Sequence, residues 1–134
     1  MSVPVLEAHM LQAAVIQEAY ATMEWESLIH DLAARGVPQR KIALCAKVSQ
    51  AKVSRLVAFK DRPPIGVAFN TEEGGLEELS KAAAARAEWK SRRDSLTCSL
   101  VADGMSQREV APYARLNQAT VSRWVAKRAA SELN

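Results

Sequence analysis

The chain has 134 residues, of which 49% are hydrophobic, 25% charged and 5% aromatic, with a net charge of +3. That composition suits one ordinary globular domain or two small ones and excludes a disordered or fibrous chain. No apolar run approaches the roughly 18 residues of a membrane span, so no membrane partner is expected.

Val, Ile and Thr never gather into an alternating run, which predicts an all-α fold. The N-terminus lacks the basic-then-apolar order of a signal peptide, which points to the cytoplasm. Cys45 and Cys98 are then expected as reduced, packed thiols.

In chain order, residues 1–34 carry five acids and no Lys or Arg. A leading helical segment is expected over about 4–35, as one helix or two, ending at Gly36 as a C-terminal cap. Residues 35–62 carry eight bases against Asp61, a local charge of +7. Pro38 is acceptable at the start of a second helix. A tight turn around Val48 follows, and Ser49 should cap a third helix. Pro63-Pro64, Gly66 and Gly74-Gly75 mark residues 61–75 as a linker.

The pattern then recurs. Residues 27–60 laid on residues 95–128, without gaps, agree at 16 of 34 positions. The chain is therefore two copies of one unit, and the expected domains are 1–60 and 76–134 on either side of the linker. In the second copy a helical segment over 76–103 should end at Gly104. Ser106 and Glu109 stand at capping-box spacing, Leu116 plugs the turn and Asn117 caps the last helix. Pro112 falls inside the second helix of this copy, where a kink or a short helix is expected. Trp25, Trp89 and Trp124 read as core. Residues 105–128 carry five bases against Glu109, a local charge of +4, so two basic blocks are separated by acidic ones. Such blocks suit a polyanionic partner.

Two short helices joined by a tight turn can place the second helix in the major groove of DNA. Ala43 with Val53, and Ala111 with Val121, sit where such helices would touch. The stretches Val48–Arg55 (VSQAKVSR) and Leu116–Arg123 (LNQATVSR) resemble the recognition helices of the lac repressor family and of resolvase-type or homeodomain-like helix-turn-helix domains. Many members have Gly at the turn where this chain has Lys47 and Arg115. Left-handed backbone there would carry modest strain.

The resemblance implies two tandem helix-turn-helix units, each preceded by a long helical segment, as an internal pseudo-dimer on double-stranded DNA. Gln50 and Gln118 would pair with adenine, Arg55 and Arg123 with guanine, and Ala51 and Ala119 would touch a thymine methyl. Ser54 and Ser122 suit a base or a phosphate. Phosphate contacts are expected from Gln39, Arg40, Ser49, Lys52 and Lys60, and from Gln107, Arg108, Asn117, Thr120, Lys127 and Arg128. Similar readers predict two similar half-sites, as an inverted or a direct repeat. Long apolar leading helices that could pack on each other favour the inverted one. A homodimer is a further option for the partner.

The expected role is a transcriptional regulator, in particular a repressor of the kind mobile elements encode. The alternative is the DNA-binding subunit of a partition, conjugation, phage-packaging or transposition complex. No enzyme is expected, and no cofactor or metal. His9, His30, Cys45 and Cys98 lack the short spacings of zinc ligands, and no Gly-rich phosphate loop is present. Glu72, Glu73, Glu77 and Glu78 suit the first turns of a helix.

Overall fold

The computed structural model describes residues 3–58 and 69–132. Among these residues the chain is all-helical, with α1 (Val3–Ala34), α2 (Gln39–Ala46), α3 (Gln50–Ala58), α4 (Glu72–Ala102), α5 (Gln107–Ala114) and α6 (Gln118–Glu132). None of these helices is long and apolar enough to cross a membrane.

The leading segments are each a single helix, of 32 and 31 residues. α4 starts earlier than the expected residue 76 and takes in part of the expected linker. Gly74 and Gly75 belong to its first turns, and Phe69 just before it is buried. Gly75 is needed for close approach. A Cβ there would lie 2.7 Å from the Phe69 ring and 2.8 Å from Leu32. The rest of the expected linker, 61–68, lies outside the described residues.

Local chemistry accounts for the helix ends. Gly36 and Gly104 adopt φ of 84° and 107°. Their left-handed turns let Val37 N–H reach the Leu32 carbonyl and Met105 N–H reach the Leu100 carbonyl, at 3.1 and 3.0 Å. Both pairs close the last turn of a long helix as a Schellman cap does. Ser106 Oγ accepts from Glu109 N–H at 3.1 Å and donates to the Glu109 carboxylate at 3.0 Å, which starts α5. Pro112 does not shorten α5, which has the same eight residues as α2. It stands sixth of eight, so only the bond its own N–H would have made to the Arg108 carbonyl is missing.

The chain forms two compact units, and they do not follow the halves 1–60 and 76–134. One unit comprises residues 18–87, and the other comprises 1–17 with 88–134. Each long helix contributes one half to each unit. The reason lies in length. At about 1.5 Å per residue, α1 and α4 far outrun the eight-residue α2 and α5, so half of a long helix suffices to cover each.

In the first of these units the core joins Trp25, Leu28, Ile29 and Leu32 of α1 to Ile42, Ala43, Ala46, Val53 and Phe69, and to Leu79, Ala82 and Ala83 of α4. Gly75 faces Leu32, while Arg86 stacks on Trp25 at 4.2 Å. The two half-helices therefore run antiparallel. In the second unit Ala8, Leu11 and Val15 of α1 pack with Leu100, Val110 and Ala114, with Leu96, Met105 and Leu116 at the edge. Burying a side chain such as Leu11 or Leu100 is worth about 1.5–3 kcal/mol, so each unit depends on its borrowed half-helix.

Candidate nucleic-acid interface

In both units a short helix, a turn and a second short helix present one exposed face. The turn is the same in each. Lys47 and Arg115 are left-handed, with φ of 61° and 53°. The next residue then folds back, Val48 N–H to the Ala43 carbonyl at 3.2 Å and Leu116 N–H to the Ala111 carbonyl at 3.0 Å. Val48 and Leu116 pack against their cores, half-buried. Ala43, Val53, Ala111 and Val121 are all buried, as their spacing predicted.

α3 and α6 start on side-chain caps. Ser49 Oγ accepts from Lys52 N–H at 3.2 Å, and Asn117 Oδ1 accepts from Thr120 N–H at 2.8 Å. Capping spares N–H groups that would otherwise lack partners, at typically 1 kcal/mol each. It also orients the helix, from which Gln50, Ala51, Ser54 and Arg55 project in one unit and Gln118, Ala119, Ser122 and Arg123 in the other. All eight are exposed.

Within α3 and α6 the reading faces differ at one position. Thr120 Oγ1 donates to Asn117 Oδ1 at 2.9 Å and accepts from Arg123 at 3.1 Å. Arg123 is thereby held over the first turn of α6. Lys52 takes the place of Thr120 in α3, and an ammonium offers no acceptor to steer Arg55. Lys52 instead turns back towards Trp25, its Nζ 5.7 Å from the ring centroid.

The remaining candidates for phosphate contact are placed unevenly. Arg40 and Arg108 are exposed and Gln39 and Gln107 half-exposed at the starts of α2 and α5, and Ser49 and Asn117 are exposed at the turns. Lys127 and Arg128 line a groove with Lys90, Asp94 and Cys98 of α4, and Arg128 pairs with Glu132 at 3.5 Å. That sets Arg128 on the α4 side of α6, beside Cys98, whose thiol burial pushes up and Arg128 partly pulls back. Lys60 lies outside the described residues. Lys47 and Arg115 are exposed cations beside these faces that sequence reasoning singled out only for strain. Their place inside the basic blocks was the available signal.

Trp25 is buried, whereas Trp89 and Trp124 are half-buried. The repeat explains the difference. Trp25 corresponds to Arg93 and Trp124 to Leu56, so the two copies carry the large ring on different elements, and Arg93 lies over the Trp124 ring at 5.6 Å.

Chemically, each face offers an amide that donates and accepts, a methyl, a hydroxyl and a guanidinium fork. Residues 35–58 contain six bases and no acid. No family model matches the chain, and neither a curated protein nor a solved structure is found to be similar to it.

Proposed function

We propose that the chain binds double-stranded DNA, with α3 and α6 as recognition helices of two helix-turn-helix units arranged as an internal pseudo-dimer. The observation that carries this reading is the repeated exposed face, Gln-Ala-x-x-Ser-Arg, built twice on the same capped helix and the same left-handed turn. A solvated helix has no need to keep that set. A major-groove reader does, because amide and guanidinium side chains match adenine and guanine edges two bonds at a time.

The function is transcriptional regulation, and repression is its simplest form. Occupying a promoter blocks polymerase with nothing beyond sequence-specific binding. Arg40, Lys47, Arg108 and Arg115 anchor the phosphates around each reader. With about 6–10 phosphate contacts in all, affinity should fall about 10³–10⁵-fold between 50 and 200 mM salt. The test is an anisotropy titration across salt, with sites selected from random duplexes. Two similar half-sites and a steep salt slope are expected. A flat salt response, or no enriched sequence, overturns the reading.

A further inference from the structure

Among the described residues, five of the six large apolar side chains left exposed lie on α1. Leu6, Met10, Ile16, Tyr20 and Met23 are 55%, 51%, 49%, 61% and 44% exposed. The opposite side of the same helix supplies Ala8, Leu11, Val15, Trp25 and Leu28 to the cores. α1 is thus apolar on both sides, and a helix of that kind is normally covered on both.

Four of these five, all but Met10, fall in rows of seven-residue spacing. Leu6, Ala13 and Tyr20 form one row, and His9, Ile16 and Met23 the row three residues on. This is the a and d spacing of a coiled coil, held for about 25 Å of helix. The rows are also palindromic. Turned end for end, Leu6 meets Met23, His9 meets Tyr20 and small Ala13 meets branched Ile16. A surface complementary to itself under a two-fold rotation is what a closed dimer requires.

The repeat supplies a control within the chain. The matching positions on α4 are Gly74, Glu77, Lys81, Ala84, Glu88 and Ser91. There Lys81 pairs with Glu77 and Glu78 along the helix, as a solvated face does. One copy of the duplicated helix is polar on this face and the other apolar.

We propose that two chains associate through this face of α1, as an antiparallel two-helix coiled coil with Leu6 against Met23 and Ala13 against Ile16. Direction follows from the same pairing, since end for end small Ala13 meets branched Ile16, whereas a parallel pair would set Ala13 against Ala13 and His9 against His9. Area is sufficient. Open side chains of roughly 100 Å² each, with His9, Gln12, Ala13 and Gln17, give on the order of 600 Å² per chain, the lower bound of stable interfaces. Joined chains would carry four reading helices, so occupancy of DNA would depend on chain concentration more steeply than first order.

The test is sedimentation velocity of the full chain without DNA, so its outcome is separable from that of the DNA-binding reading. The wild type should sediment as a dimer at micromolar concentration. Ile16→Glu should raise the dissociation constant by at least about 100-fold, since it buries a charge at the two-fold axis. Helix content should stay unchanged by circular dichroism. Ala84→Glu, the matching change on α4, should leave the dimer intact. Adding Ala13→Lys to Ile16→Glu should recover at least about tenfold, because an antiparallel pair sets each Lys against a Glu. A monomeric wild type, a larger oligomer, equal effects of Ile16→Glu and Ala84→Glu, or no recovery in the double variant overturns the proposal.

Discussion

The indole Nε1 of Trp25 donates a hydrogen bond to the carbonyl oxygen of Ala46 across 3.0 Å. Ala46 ends α2, where carbonyls have no partner within the helix. One bond therefore ties the leading helix to the end of α2 and fixes where the turn at Lys47 begins. Trp25→Phe keeps a ring for Arg86 to stack on but strands the Ala46 carbonyl. Unfolding in urea should show a loss of about 1–3 kcal/mol. No change in midpoint would mean that water replaces the bond freely.

The left-handed turn residues carry a cost that glycine would remove. Holding a side chain at the φ of Lys47 or Arg115 costs about 1 kcal/mol. Lys47→Gly should therefore be more stable than Lys47→Ala by about that amount, and Arg115→Gly than Arg115→Ala likewise. Comparing alanine with glycine at each site removes the effect of the lost charge. Denaturant midpoints of the four variants decide it, and equal midpoints would show the turn to be unstrained.

Thr120 steers Arg123, and nothing in α3 does the same for Arg55. Thr120→Val keeps the shape and the backbone bond to Asn117 but removes the hydroxyl. Discrimination at the base pair read by Arg123 should weaken by about 0.5–1.5 kcal/mol, with stability little changed. Lys52→Val should leave discrimination by Arg55 as it was and lower affinity for all sequences. Binding to duplexes mutated one base pair at a time separates the two outcomes.

Glu7 introduces a dependence on pH. Burial of its carboxyl, then the hydrogen bond and charge of Asp103, raise its pKa above the ordinary value. Below that ordinary value folded and unfolded chains both hold the proton, and Glu7 contributes nothing. As pH rises past it the unfolded chain ionises first, so the fold loses stability until the folded Glu7 ionises too. Glu7→Gln should therefore be more stable than the wild type at neutral pH and equal to it in acid. Melting temperatures across pH 3–7 check this, and an equal gap at every pH would exclude the carboxyl pair as the cause.

Features set by a few neighbouring residues were legible in the sequence. Gly36, Gly104, Ser49, Ser106 and Asn117 act where their chemistry predicted, because a cap involves only the adjoining turn. The strain expected at Lys47 and Arg115 was readable for the same reason. Long-range packing was not. Gly74-Gly75 reads as a linker unless the Phe69 ring and Leu32 are known to press against Gly75. The exchange of half-helices was hidden because α1 is apolar on both sides, so periodicity alone does not tell which side meets which core. Arg123 and Arg55 look equivalent in sequence, and only the bond to Thr120 sets them apart.

The shared long helices bear on how such a chain could have arisen. A single ancestral copy, one long helix with its pair of short ones, would have had no way to complete its own core, since the covering half-helix must come from a neighbour. Such a peptide persists only as an obligate pair that trades helices. Duplication end to end turns that bargain into one molecule's internal affair, and the joined copies no longer need to be alike. An indole that stands at Trp25 in one copy and at Trp124 in the other, and a face that is apolar on α1 and polar on α4, are differences that a pair of identical chains could not carry.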